Sequence, residues 1–158
     1  MHKNKKQISF QIAWLVILFW VILIFSLSAQ PVRKSDKLSK KVTVNIIKMI
    51  EKVAPQVEMD LQRTNHLLRK KAHFFLYLVL GMLVLNIIRK SGVKGCKGIF
   101  ISLLICIVYA ISDEIHQLFV PGRGAQVMDV FIDSGGAFAG IILYQIIRFL
   151  FLSRRKKV

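Results

Sequence analysis

Eight acids and four histidines are spread thinly over 158 residues, yet Asp113, Glu114, Asp129, Asp133, His73 and His116 all fall in or beside long apolar runs. An ionisable side chain in hydrocarbon is costly unless it meets a partner or a water-filled cavity, so these are the positions where chemistry is expected. They form three sets. In the first, Thr64 or Asn65 can cap a helix on which His66, Arg69 or Lys70, His73 and Tyr77 follow at spacings of three to four, one polar stripe on an otherwise apolar element. In the second, Asp113 shares a helical face with Tyr109, His116 and Gln117, and Glu114 stands next to it. The third begins at a turn, Pro121-Gly122-Arg123-Gly124, and continues with Gln126, Asp129 and Asp133 on one face that runs on through Gly136 and Gly140, a GxxxG pair suited to close helix contact.

Two chemistries suit these types. A histidine oriented by a carboxylate can move protons, with His73 or His116 as the acid or base, Asp113 or Glu114 as its orienter and Arg123 as a bidentate clamp for phosphate. The same groups can instead hold a polar ligand without reacting. Plainer roles exist for some of them: Arg69, Lys70 and Lys71 can snorkel to an interface, and Asp129 can serve a helix dipole. No metal centre is expected, because no ligand spacing such as His-Glu-x-x-His is present and Cys96 and Cys106 form no CxxC pair. Nothing in the pattern implies a cofactor.

The elements that must position these residues are apolar and long. The chain is 54% hydrophobic with a mean hydropathy of +0.54, and its apolar residues come in blocks rather than at periodic intervals. About 20 helical residues cross a hydrocarbon core roughly 30 Å thick. The expected fold is an all-α integral membrane protein with four transmembrane helices at 8–28, 72–89, 99–120 and 129–152. The first block has a basic start and a small-x-small exit at Ser26–Ser28, but it is longer than a signal core and reads as an uncleaved anchor. Within the 29–71 loop, Leu38, Val42, Ile46, Met49, Ile50 and Val53 mark one face of a basic amphipathic helix, 36–53, fit to lie on a membrane surface.

The net charge of +16 would suggest nucleic acid in a soluble protein. Here the cations lie between and beyond the apolar blocks, where they meet anionic headgroups, so the partner is membrane lipid and not nucleic acid. With the N-terminus inside, Lys and Arg divide evenly between the two sides. The short basic loop 89–97 and the Arg-Arg-Lys-Lys tail break the tie, since both abut helices. Both termini, residues 1–7 and 153–158, are therefore expected in the cytoplasm. All three polar sets then meet at the outer face, because helix two starts there, helix three ends there and helix four starts there.

RKKAHFFLYLVLG (69–81) followed by SDEIHQLFVPGRGAQVMDVFIDSGGAFAG (112–140) resembles the VanZ-like family, named for a teicoplanin-resistance protein. Arg69, Lys70, His73, Tyr77, Asp113, Glu114, Gln117, Arg123, Asp129 and Asp133 match that family's pattern, and the resemblance covers roughly residues 12–150 but leaves 36–58 outside any motif. It implies a four- or five-helix bacterial membrane protein, N-terminus inside, that reduces sensitivity to lipoglycopeptide antibiotics. Three functions follow as expectations. The first is a modulator that binds at the outer face of the plasma membrane, with a lipid-linked cell-wall precursor or the lipoglycopeptide as ligand. The second is an intramembrane enzyme acting on a lipid-linked precursor, and the third a structural assembly protein using its glycine face. Oligomeric state is not legible in the sequence.

Overall fold

The computed structural model describes residues 2–31, 44, 45, 47 and 61–155. Its helices are α1 (His2–Ser28), α2 (Leu61–Lys90), α3 (Gly95–Gln117) and α4 (Val127–Arg155), and among the described residues there are no strands. Each contains a stretch long and apolar enough to cross a membrane: Gln7–Ser28, His66–Lys90, Gly95–Gln117 and Val127–Phe151. The chain is a multi-pass membrane protein. The surface helix expected at 36–53 lies almost wholly outside the described residues.

Several helix ends differ from the hydropathy reading: α1 begins at His2, α3 at Gly95, and α4 runs from Val127 to Arg155, each beyond the expected bounds. α2 starts at Leu61, well before residue 72, because backbone hydrogen bonding continues through the polar turn that carries Arg69, Lys70 and Lys71. α3 stops at Gln117, short of residue 120. The amides of Leu118, Phe119 and Val120 bond three residues back and tighten the last turn ahead of Pro121. The α2–α3 connection is set by Gly92 at φ 94°, where Gly92 N–H bonds Arg89 C=O and Val93 N–H bonds Ile88 C=O, the pair of bonds that closes a helix on a left-handed residue. The α3–α4 connection turns at Val120–Arg123: Pro121 and then Gly122 at φ 79° form a type II turn closed by Arg123 N–H on Val120 C=O at 3.0 Å. This turn fixes where Arg123 leaves the backbone.

α2 is the hub. It packs most extensively against α4, then against α3 and α1, whereas α1 and α3 touch little. Tyr77, Leu80 and Val84 of α2 are buried with Ile24, Cys106, Ala110 and Ala137 from the other three helices. The α2–α4 approach is close enough to need glycine. A Cβ on Gly136 would collide with the carbonyl of Phe74, on Gly140 with that of Leu78, and on Gly81 with that of Ala137. The glycine face of α4 is thus filled by α2 of the same chain, which leaves it no room to join a second copy. α1 is tied on through polar atoms: Trp20 Nε1 donates to Leu76 C=O at 2.9 Å, and Tyr109 Oη to Val21 C=O at 2.8 Å. Much of the outward surface is large and apolar, including Phe19, Phe100, Phe131 and Phe149, as a lipid-facing surface requires.

At the end of the four helices formed by the start of α1 and the end of α2, a second polar cluster ties the helices together. Lys90 Nζ reaches Ser9 Oγ at 3.0 Å, Arg89 donates to Gln145 and stacks over the Tyr144 ring at 5.6 Å, and Tyr144 Oη donates to Asn86 at 3.1 Å.

Candidate functional site

At the opposite end, one residue from each helix meets in the interior. Ser28 closes α1, and its hydroxyl donates to Asp113 Oδ2 of α3 at 2.6 Å. His73 of α2 brings Nδ1 to 3.6 Å from Asp133 Oδ2 of α4, a charge contact too long for a hydrogen bond. One ligand atom from each of His73, Asp113 and Asp133 lies within 4.8 Å of the other two. Asp113 and Asp133 are each only 2% exposed. Asp113 Oδ1, Asp133 Oδ1 and the Tyr77 hydroxyl are buried without a hydrogen-bond partner in the protein.

A tier nearer the helix ends lies above this floor. One turn before His73 and Asp133, Lys70 Nζ pairs with Asp129 Oδ1 at 2.6 Å and donates to Gln126 Oε1 at 3.1 Å. Arg123 reaches from the Val120–Arg123 turn to Leu27 C=O at 3.4 Å. A partly open cavity of about 280 Å³ joins the two tiers. Its polar lining includes His66, Arg69, Lys70, His73, Gln117, Arg123, Asp129 and Asp133, against an apolar wall of Leu27, Leu76 and Ile132. The rim holds three basic side chains, Arg69, Lys70 and Arg123, and one acid, Asp129. The floor holds two acids, Asp113 and Asp133, and one histidine. The rim is therefore suited to an anion and the floor to a cation or a proton.

Most of the residues expected from the sequence converge here: Arg69, Lys70, His73, Gln117, Arg123, Asp129 and Asp133 line the cavity, with Asp113 beside its floor and Tyr77 one turn deeper on α2. Glu114 and His116 point elsewhere. Glu114 Oε1 accepts the Gln126 N–H at 2.5 Å and so secures the approach to α4. His116 is not in the lining; its ring lies 4.2 Å from that of Phe25. The sequence pattern placed no site residue on α1 or just after it, yet Leu27, Ser28 and Gln30 all reach the site.

The VanZ/LLP1 family model matches residues 13–148, most of the chain and every residue of this site. The chain belongs to the VanZ/LLP1 family. VanZ is linked to teicoplanin resistance, and the resemblance carried by residues 69–81 and 112–140 is thereby confirmed at the level of the family. No curated protein and no solved structure was found to match the chain. In family terms, the Arg-Lys-x-x-His-x-x-x-Tyr run supplies the α2 side of both tiers. The Asp-x-x-x-Asp pair supplies the α4 side, one acid to each tier, because a spacing of four places them one turn apart on one face.

Proposed function

We propose that the chain modulates sensitivity to lipoglycopeptides of the teicoplanin type at the outer face of the bacterial plasma membrane. It would do so by holding the anionic headgroup of a membrane-borne ligand, such as a lipid-linked cell-wall precursor, in the cavity. The observation that carries this reading is the cationic rim: Arg69, Lys70 and Arg123 line a cavity that also has an apolar wall of Leu27, Leu76 and Ile132, so that a headgroup and the start of its lipid tail both find suitable surfaces. In this arrangement both termini are cytoplasmic, and the basic 29–71 segment faces anionic lipid outside.

Teicoplanin sensitivity of deletion and overexpression strains tests the proposal. Overexpression of the wild type is expected to reduce sensitivity. Arg123→Ala is expected to remove most of that protection at normal protein abundance, since a charge-assisted hydrogen bond contributes about 1.5–3 kcal/mol, roughly a ten- to hundredfold change in affinity. Arg123→Lys restores the charge but not the planar fork and should recover it only in part. Wild-type protection in Arg123→Ala would contradict the rim's role.

The His73–Asp133 contact favours a second reading, an intramembrane enzyme for a lipid-linked substrate, in which His73 moves the proton and Asp133 orients it. The two separate in the same assay. An enzyme should lose all function in His73→Ala with abundance intact, whereas a binder should lose it by degrees.

A further inference from the structure

We propose that His73, Asp113 and Asp133 form a binding site for one divalent transition-metal ion of the Zn²⁺ or Mn²⁺ class. No helix carries more than one of the three side chains, so a search for ligand spacing along the sequence cannot find them. Three features point to a cation. First, two carboxylates that are both almost fully buried converge beside one histidine, an arrangement whose charge a divalent ion would compensate. Second, the floor has unspent ligand atoms: Asp113 Oδ1 and Asp133 Oδ1 accept nothing from the protein, and the buried Tyr77 hydroxyl nearby has no partner either. Third, the other oxygen of Asp113 is already oriented by the Ser28 hydroxyl at 2.6 Å, which is how an outer-shell donor fixes a carboxylate for a metal.

The distances suit a small ion. Bonds of about 2.0–2.2 Å in a tetrahedral site put ligand atoms about 3.4 Å apart, and here they lie within 4.8 Å before any ion draws them in. One nitrogen and two carboxylate oxygens match the mixed preference of Zn²⁺ or Mn²⁺ better than that of Ca²⁺, which takes six to eight oxygens. His73 and Asp133 line the cavity, so the fourth position opens into it, where a water or a headgroup oxygen can complete the shell. The site stands whether or not the rim holds a lipid headgroup.

The test uses the full chain in detergent, stripped with a chelator and titrated with ZnCl₂ or MnCl₂ alone, with bound metal measured by elemental analysis and unfolding by thermal melts. About one ion per chain is expected, with a rise in Tm. Asp113→Asn, Asp133→Asn and His73→Gln should each weaken binding by at least ~10-fold, while Tyr144→Phe at the other end should bind as the wild type does. Size-exclusion profiles identify any variant that fails to fold, and the wild-type titration decides independently of them all. Absence of stoichiometric binding by the wild type overturns the proposal, as does equal occupancy in folded Asp113→Asn and Asp133→Asn.

Discussion

Asp113→Leu is expected to lose function and to unfold with about 1–3 kcal/mol less stability, whereas Asp113→Asn should lose function while keeping most of that stability. The difference follows from what Asp113 does. Its carboxylate receives the Ser28 hydroxyl and thereby ties α1, which otherwise contacts α3 little, to the rest of the molecule. It also faces His73 and Asp133 across the floor of the cavity. Leucine fills the volume but strands the buried Ser28 hydroxyl, and that is the source of the expected loss. Asparagine keeps an oxygen that can accept the same bond and removes only the charge. Thermal unfolding in detergent, read beside the teicoplanin assay, separates the two effects. If Asp113→Leu proved as stable as the wild type, the Ser28–Asp113 contact would add nothing to the Trp20 and Tyr109 bonds that also tie α1 on.

The second large effect is expected at Gly140. Alanine there places a methyl against the Leu78 carbonyl, which is helix backbone and cannot swing away as a flexible side chain would. α2 and α4 must then separate, at a cost of about 1–3 kcal/mol for a single methyl and more for leucine. Gly136 meets the Phe74 carbonyl in the same way, one residue from His73, so spreading the helices there also opens the floor of the site. Gly135 is the control. It sits beside Gly136 on the same helix but is exposed, and a methyl added there would have nothing within 4 Å. Gly135→Ala should therefore be neutral or slightly stabilising, because alanine is the better helix former. Melting temperatures of the two alanine variants check the contrast.

The four spans were legible because an uninterrupted apolar block of membrane-crossing length would leave a soluble helix with no polar face, and the polar residues stood out against those blocks. Which polar residues face one another was legible only in part. Asp113 and Glu114 are neighbours in sequence, but adjacent helix positions point about 100° apart. The sequence could not say that Asp113 turns toward the floor while Glu114 turns to the Gln126 amide. Likewise Gln117, four residues on from Asp113, keeps to the cavity, whereas His116 turns to Phe25. Ser28 was hidden for a different reason. A serine ending an apolar helix looks like an interface residue, and its partner lies 85 positions away. Gly81 was overlooked because a single glycine carries no spacing signal, although it serves the same α2–α4 contact as the Gly136–Gly140 pair that does.

Cross-linking of cysteines placed at 73 and 133 in native membranes, with Cys96 and Cys106 replaced, tests most directly whether separate helices bring the charged side chains together. A short thiol-specific reagent should join the 73–133 pair in nearly every chain, detected by mass spectrometry of the linked peptides. The lipid-facing pair at Phe75 and Phe131 should not be joined. A 73–133 yield no higher than that of the lipid-facing pair, in protein present at normal abundance, would contradict the shared site.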